Sequence, residues 1–326
     1  MVSPGPGAVK RGPALPPESC GTVRAVSETT SRTPVSLGTA TPGGGFPVYG
    51  EAVAAVINET DPTLDVRPRN TKGSTENVPL LEAGTLDLGL VQGEVAYEAL
   101  AGIGRAPADL RVLAAMFSTP GMFVVRADSP YRAIADLRGK PVAFGARGSG
   151  LIVLARYVLD GLGYERDRDF QAVFLDAAGD GPRMVMDGTV AALWGGGLGW
   201  PGFTAVARGP AGARFLVPDL DGIHRIQTKH AFLQLMRVPA GSYPGQTADL
   251  ISVGSWSFIM ARPSLADEVA YRLARALHRG EAALAGRLAQ GRETTAANTV
   301  AAVARPELLH PGVRRYLVET GLLRSG

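Results

Sequence analysis

The sequence predicts an α/β fold of two lobes closing on a ligand cleft, and three observations point to it. Short apolar runs alternate with stretches of helical periodicity from Val35 onward; connections this short favour a parallel sheet covered on both faces. Loops rich in glycine and hydroxyl side chains recur where an apolar run meets an amphipathic stretch. Late in the chain, residues 251–260 form a long apolar extended run, consistent with a return to the first lobe. With 326 residues, 45% of them hydrophobic, the chain can bury a substantial core.

Residues 1–34 are rich in Pro, Gly, Ser and Thr and read as an unstructured leader. Residues 35–37 read as a strand and 46–57 as a helix, with Val48, Ala52 and Val56 on one side. A strand at 64–66, a helix over 74–81, a strand at 86–91 and a helix over 94–100 follow. Residues 112–117 and 122–125 make two further extended runs, the second leading away from the first lobe. A second alternation places strands at 141–144, 172–175 and 190–194, helices at 151–159 and around 184–186, and extended runs at 214–217 and 232–236. The tail is helical from Leu265, with Val269, Leu273 and Leu277 at four-residue spacing. Lobe one is therefore expected to comprise 35–121 and 250–326, and lobe two 122–249. Two such lobes hold a ligand between them, at the carboxyl ends of the strands, and close about a hinge.

Charge and composition narrow the function. The chain carries 33 basic and 30 acidic residues, a net of +3 too diffuse for a nucleic-acid footprint. No stretch approaches the ~18 to 20 consecutive apolar residues of a membrane span. The single cysteine, Cys20, excludes an internal disulfide and a cysteine-built zinc site. His224, His230, His278 and His310 lack metal-ligand spacing, so neither metal nor cofactor is expected; His224 and His230 read as surface helix residues and His310 as a structural part of the C-terminal turn. After Lys10 and Arg11 the run Gly-Pro-Ala-Leu-Pro-Pro is not the apolar segment of ~7 to 15 residues that a secretory signal needs. Two readings stay open: the chain remains inside the cell, or its true leader lies upstream of the given start.

Three loops carry the candidate site: residues 38–45, 72–77 and 145–150. Backbone N–H groups and helix starts gathered at one point suit an anion. Glycine clusters also serve plain backbone geometry, and Ser74 and Thr75 also suit an N-cap. Ser149 is a helix-start residue aimed at a carboxylate. Arg147 is either a solvated loop cation or a guanidinium that pairs bidentately with that carboxylate. Gln92 ends an apolar strand, either toward solvent or as a pocket amide. Trp194 and Trp200 flank a glycine run at 195–199, either as core or as an apolar wall of the cleft, whereas Trp256 reads as core. The candidate ligand-binding residues are Thr39, Gly43, Gly44, Gly45, Phe46, Ser74, Thr75, Gln92, Arg147, Ser149, Gly150, Trp194 and Gly196. Catalysis is not expected. Residues 145–150 do not read Gly-x-Gly-x-x-Gly, Lys140 precedes Pro141 rather than Ser or Thr, and no Ser–His motif or carboxylate pair stands out.

Several segments together resemble the solute-binding proteins of tripartite ATP-independent periplasmic (TRAP) transporters, specifically the TAXI group. They are Gly38-Thr39 with Gly43, Gly44 and Gly50; Gly73-Ser74-Thr75-Glu76-Asn77; Leu86-Asp87-Leu88-Gly89-Leu90-Val91-Gln92; Asp136-Leu137-Arg138-Gly139-Lys140; Gly148-Ser149-Gly150; Tyr243-Pro244-Gly245; and His310-Pro311-Gly312 with Glu319. The similarity runs over roughly residues 35–323, and the order and spacing of the motifs carry it. It implies a type II periplasmic-binding fold, a periplasmic location and a monomer that hands a small organic anion to TRAP permease membrane subunits without transforming it. Four departures matter. The usual Gly-Gly-Thr-Tyr-Tyr-Pro is Gly43-Gly44-Gly45-Phe46-Pro47-Val48, Leu151 replaces the threonine of Gly-Ser-Gly-Thr, and Gln-x-Asp becomes Gln92-Gly93-Glu94. Arg147 adds a charge where the family usually has none. The expected ligand is therefore a carboxylate bulkier and more apolar than glutamate, aromatic or branched. The rival reading keeps the fold as a cytoplasmic ligand sensor.

Overall fold

Val35 and Leu37 are buried while Pro34 and Ser36 are not, the period of two that makes a half-buried strand. This is β1 (Thr33–Gly38), and it pairs in parallel with β2 (Leu64–Arg69) on one side and β3 (Leu88–Val91) on the other. The computed structural model describes residues 1–5, 7, 8, 12, 32–303 and 305–324. Contacts divide the chain into residues 1–31 and 32–326, and everything below concerns the second unit. The expected leader falls largely outside the described residues, except that Thr33 and Pro34 already belong to β1.

Helices α1 (Gly45–Thr60) and α2 (Ser74–Glu82) carry the crossovers between these strands, and α3 (Gly93–Ala101) follows β3. The buried face of α1 is Tyr49, Val53, Val56 and Ile57, while Val48 is exposed. Helical periodicity alone puts Val48, Ala52 and Val56 inward. The difference comes from Tyr49, which is fully buried edge-on to Phe117 at 5.2 Å and turns its own stripe to the core.

The two runs expected at 112–117 and 122–125 are one strand, β4 (Arg111–Arg126). Pro120 does not break it because the strand changes partners there. Residues before Gly121 pair with β10 (Leu250–Ala261), and those after it pair with β7 (Ala192–Gly196) and β8 (Ala213–Leu216). A proline's missing donor costs least where a ladder ends. Around β7 the second half adds β5 (Pro141–Ala146) and β6 (Gln171–Leu175), both parallel, with α4 (Gly150–Leu162), α5 (Arg166–Asp169), α6 (Asp180–Met186), α7 (Pro201–Ala207) and α8 (Leu220–Lys229) in the connections. β9 (Gln234–Val238) pairs with the first residues of β10. The strand order is β2-β1-β3-β10-β4-β7-β5-β6, so β4 and β10 belong to both halves.

The C-terminal segment returns to the first half as α9 (Asp267–Arg279), α10 (Glu281–Arg287), α11 (Ala296–Ala302) and α12 (Pro311–Glu319). Leu273, Ala274 and Leu277 of α9 and Val313 and Leu317 of α12 share one core cluster with Val35, Tyr49 and Leu90. The second half has a cluster on each face of its sheet. Phe123, Phe144, Leu154 and Trp194 form one; Met122, Leu193, Trp200 and Phe203 form the other. His310 caps α12: its Nδ1 accepts from Gly312 N at 3.3 Å and its Nε2 lies 3.0 Å from Leu265 O. Trp256, expected in the core, is only half-buried. Among the described residues no helix is long and apolar enough to cross a membrane, and no group of His, Cys, Asp and Glu is placed to hold a metal ion.

Candidate functional site: a cleft between three loops

Each loop is bent by a glycine in the left-handed region and delivers the chain into a helix. Gly43 (φ 81°) precedes α1, Gly73 (φ 120°) precedes α2 and Gly148 (φ 86°) precedes α4. The loops meet. Thr75 donates to Gly148 O twice, from its N–H at 3.2 Å and its hydroxyl at 2.9 Å. Ala178 N donates to Thr41 Oγ1 at 3.4 Å, and the main chains at Gly43 and Gly179 touch.

The cavity between them is lined by Ala40, Thr41, Gly44, Gly45, Phe46, Lys72, Gly73, Ser74, Gln92, Phe117, Thr119, Ala146, Ser149, Gly150, Leu151, Ala178, Gly196 and Trp200. Its volume is about 50 Å³. One water needs ~10–15 Å³ by such a measure, so the space suits a carboxylate on a short chain. Phe46, Phe117, Leu151 and Trp200 make an apolar wall, and no carboxylate is among the lining residues described.

Polar character gathers at the helix starts. The first N–H groups of any α-helix have no partner within it; here Thr75 N goes to Gly148 O, Leu151 N to Ser149 Oγ and Ile152 N to Ser149 O, which leaves the N–H groups of Ser74 and Gly150, two residues that line the cavity. Ser74 Oγ accepts from Gln92 N at 3.0 Å, and Ser149 Oγ caps α4 by accepting from Leu151 N at 3.2 Å. Both hydroxyls keep their proton for a ligand. Lys72 is the one cation among the described lining residues. Behind Gln92, Glu94 is fully buried and accepts from Gln92 Nε2 at 3.0 Å. Burial pushes the Glu94 carboxyl up to about 7, with Ser255 and Gln92 pulling the other way. Glu94 Oε1 and the Ser255 hydroxyl are buried without a well-formed hydrogen bond.

Of the residues expected from the sequence, Gly44, Gly45, Phe46, Ser74, Gln92, Ser149, Gly150 and Gly196 line the cavity. Five do not. Thr39 is buried and its hydroxyl donates to Arg69 O at 3.1 Å, tying β1 to β2. Gly43 is spent on the contact with Gly179, and the Thr75 hydroxyl on Gly148. Arg147 is exposed and lies over the Phe174 ring at 5.1 Å, the solvated alternative for that residue. Trp194 is fully buried, and its indole donates to Leu151 O at 2.8 Å, so of the two tryptophans it is Trp200 that faces the cleft. Phe117 and Thr119, which come from the crossing strand β4, left no local signal. Lys72 stood inside a quoted loop, and its only sign was a lysine placed directly before the loop glycine.

The fold has solved counterparts. A protein from Bordetella bronchiseptica RB50 superimposes with a TM-score of 0.55 at 15% identity, over 89% of this chain and 99% of that one. MatC from Rhodopseudomonas palustris, solved with bound malate, gives 0.52 at 16% identity, over 89% and 96%. A TctC solute-binding protein from Polaromonas gives 0.47 at 17%, over 81% and 89%. At these identities the likeness to the first two speaks for the fold alone, a two-lobed α/β architecture. Residues 37–321 match the model of the NMT1-like family. Spanning almost all of the folded unit, that match makes the chain a member of the NMT1-like family.

Proposed function

We propose that this protein is a periplasmic solute receptor, not an enzyme, that closes its two lobes on a small organic acid and delivers it to a membrane permease of the TRAP type, as a TAXI-group binding protein would. One observation carries the reading: a cavity with two helix starts, two serine hydroxyls and the Lys72 ammonium on its wall, and no lining carboxylate among the described residues. Such a wall favours one negative charge, and no carboxylate, histidine or cysteine is among the described lining residues to activate a nucleophile. The division into 35–121 with 250–326 and 122–249 is supported by the separate core clusters and by strands shared at β4 and β10. MatC, of the same fold, was solved with malate bound. The small volume and the apolar wall favour a short-chain acid with a single carboxylate, and a bulky aromatic acid would need the lobes further apart. A monomer suffices, since one chain encloses the cavity.

Thermal shift against a panel of organic acids tests the reading, because a ligand that binds only the folded chain raises Tm. Short monocarboxylates should raise it. A panel in which only amines or neutral sugars do so refutes the proposal.

A further inference from the structure

We infer that the Gln92 carbonyl oxygen reads a donor group on the ligand, so that the cleft selects acids bearing a hydroxyl or amino group beside the carboxylate, and that Glu94 is the positioning residue that fixes this carbonyl. The inference rests on the acid-binding reading above and deepens it.

The lining side chains offer mostly donors. Lys72 has only N–H groups, and the Trp200 indole is donor-only. The lining hydroxyl oxygens already have partners: Thr41 takes Ala178 N, Ser74 takes Gln92 N, Ser149 takes Leu151 N, and Thr119 pairs with Ser257 at 3.1 Å. Gln92 Oε1 receives no hydrogen bond from any described residue. Among the described lining side chains it is the acceptor oxygen with no protein partner.

Its orientation follows from chemistry. An ionised carboxylate only accepts, so at pH 8, where Glu94 has lost its proton, it compels the Gln92 amide to turn its NH₂ inward and its carbonyl the other way. Where a β-carbon on Gly150 would stand, Gln92 Cβ already lies at 2.5 Å, Ser74 Oγ at 2.9 Å and Gln92 Oε1 at 3.1 Å. The Gln92 side chain is therefore packed against the start of α4, with Oε1 and the Ser74 hydroxyl beside it. A carboxylate held by the Ser74 hydroxyl and the Gly150 N–H leaves its neighbouring carbon beside Oε1, where an O–H or N–H completes the bond. The groups around Glu94 are Gln92, the Ser255 hydroxyl from β10 and, further off, the Glu98 carboxylate of α3. Among those groups no cation competes for the carboxylate.

The test compares matched acids, lactate with propionate and 2-hydroxybutyrate with butyrate, by calorimetry at pH 8 on the wild type, Glu94→Gln and Gln92→Met. The wild type should prefer the hydroxy acid by roughly fivefold to tenfold, the worth of one good hydrogen bond. Glu94→Gln lets position 94 donate as well as accept, so the amide loses its fixed sense and the preference should narrow toward one. Gln92→Met removes the carbonyl at similar length and should abolish the preference; it also serves if Glu94→Gln does not fold. Affinity lost equally for both members of a pair in both variants would mean a structural role only and overturn the inference. Equal wild-type affinities overturn it as well, while leaving acid binding standing. Failure of all four acids to bind overturns acid binding and the inference together.

Discussion

Replacing Gly43 by alanine puts a side chain where the two halves of the cleft touch. Its β-carbon would stand 2.6 Å from Gly179 Cα and 2.7 Å from Gly179 N. Carbon atoms settle at ~3.5 to 4.0 Å, so the loops must part by about 1 Å. Two penalties follow, and they act on different states. The left-handed φ of 81° costs an alanine ~1–2 kcal/mol wherever the lobes stand. Under the proposed closure the clash exists only with the lobes shut, and overpacking of this kind costs ~1–3 kcal/mol. At ~1.4 kcal/mol per decade, the second penalty weakens binding of an acid ligand by roughly 5-fold to 150-fold. Gly179→Ala is the matched control. Gly179 has an ordinary φ of −67°, and its β-carbon would meet Gly43 Cα at 3.5 Å, a normal contact. Calorimetry with an acid that raises the melting temperature reads the affinities, and small-angle scattering with and without it reads closure. Equal affinity in Gly43→Ala and wild type would refute the reasoning, as would an equal loss in both variants.

Other outcomes follow from the same geometry. Lys72→Met should weaken acid binding roughly fivefold to tenfold at low salt and flatten its salt dependence, since an exposed cation at ~4 Å is worth ~1 kcal/mol in water and more near protein; calorimetry across a salt series checks both. Trp194→Ala should cost ~3–5 kcal/mol in denaturant unfolding, because a fully buried indole leaves a cavity. Glu94 titrates higher in the folded state, at about 7 against 4.5, so its contribution to stability is complete below 4.5 and is lost as pH rises through about 7. Glu94→Gln should remove that slope and be more stable than wild type at pH 8 by about 3 kcal/mol, read by urea unfolding at pH 5 and pH 8. Equal unfolding free energies for wild type at the two pH values, once Glu94→Gln is subtracted, would contradict this.

Strands were legible because apolar runs such as residues 86–91 and 251–260 need no context to read as buried. The partner change at Pro120 was not, since nothing local says that one strand serves two sheets. Glycine-bent helix starts marked most of the cleft, because left-handed turns demand glycine wherever they occur. Which cation lines the cleft was left open by the sequence for a reason of distance. Whether Arg147 or Lys72 faces the ligand depends on Phe174, whose ring holds the Arg147 guanidinium from the next strand. The tryptophans divide in the same way: Leu151 O, 43 positions away, takes the Trp194 indole into the core, while Trp200 remains at the cleft. Glu94 lay two residues beyond Gln92, but its consequence appears only when burial makes the carboxylate depend on that amide.

β4 and β10 join the halves as bonded ribbon rather than as loose cord. A β-carbon at Gly254 would fall 2.0 Å from Thr119 O, so the two run too close there for any side chain. Two register shifts interrupt their pairing, between Trp256 and Phe258 and between Ile259 and Met260. Irregularities of this sort concentrate twist. Closure of the proposed kind would therefore load this paired ribbon in torsion rather than bend a loose linker.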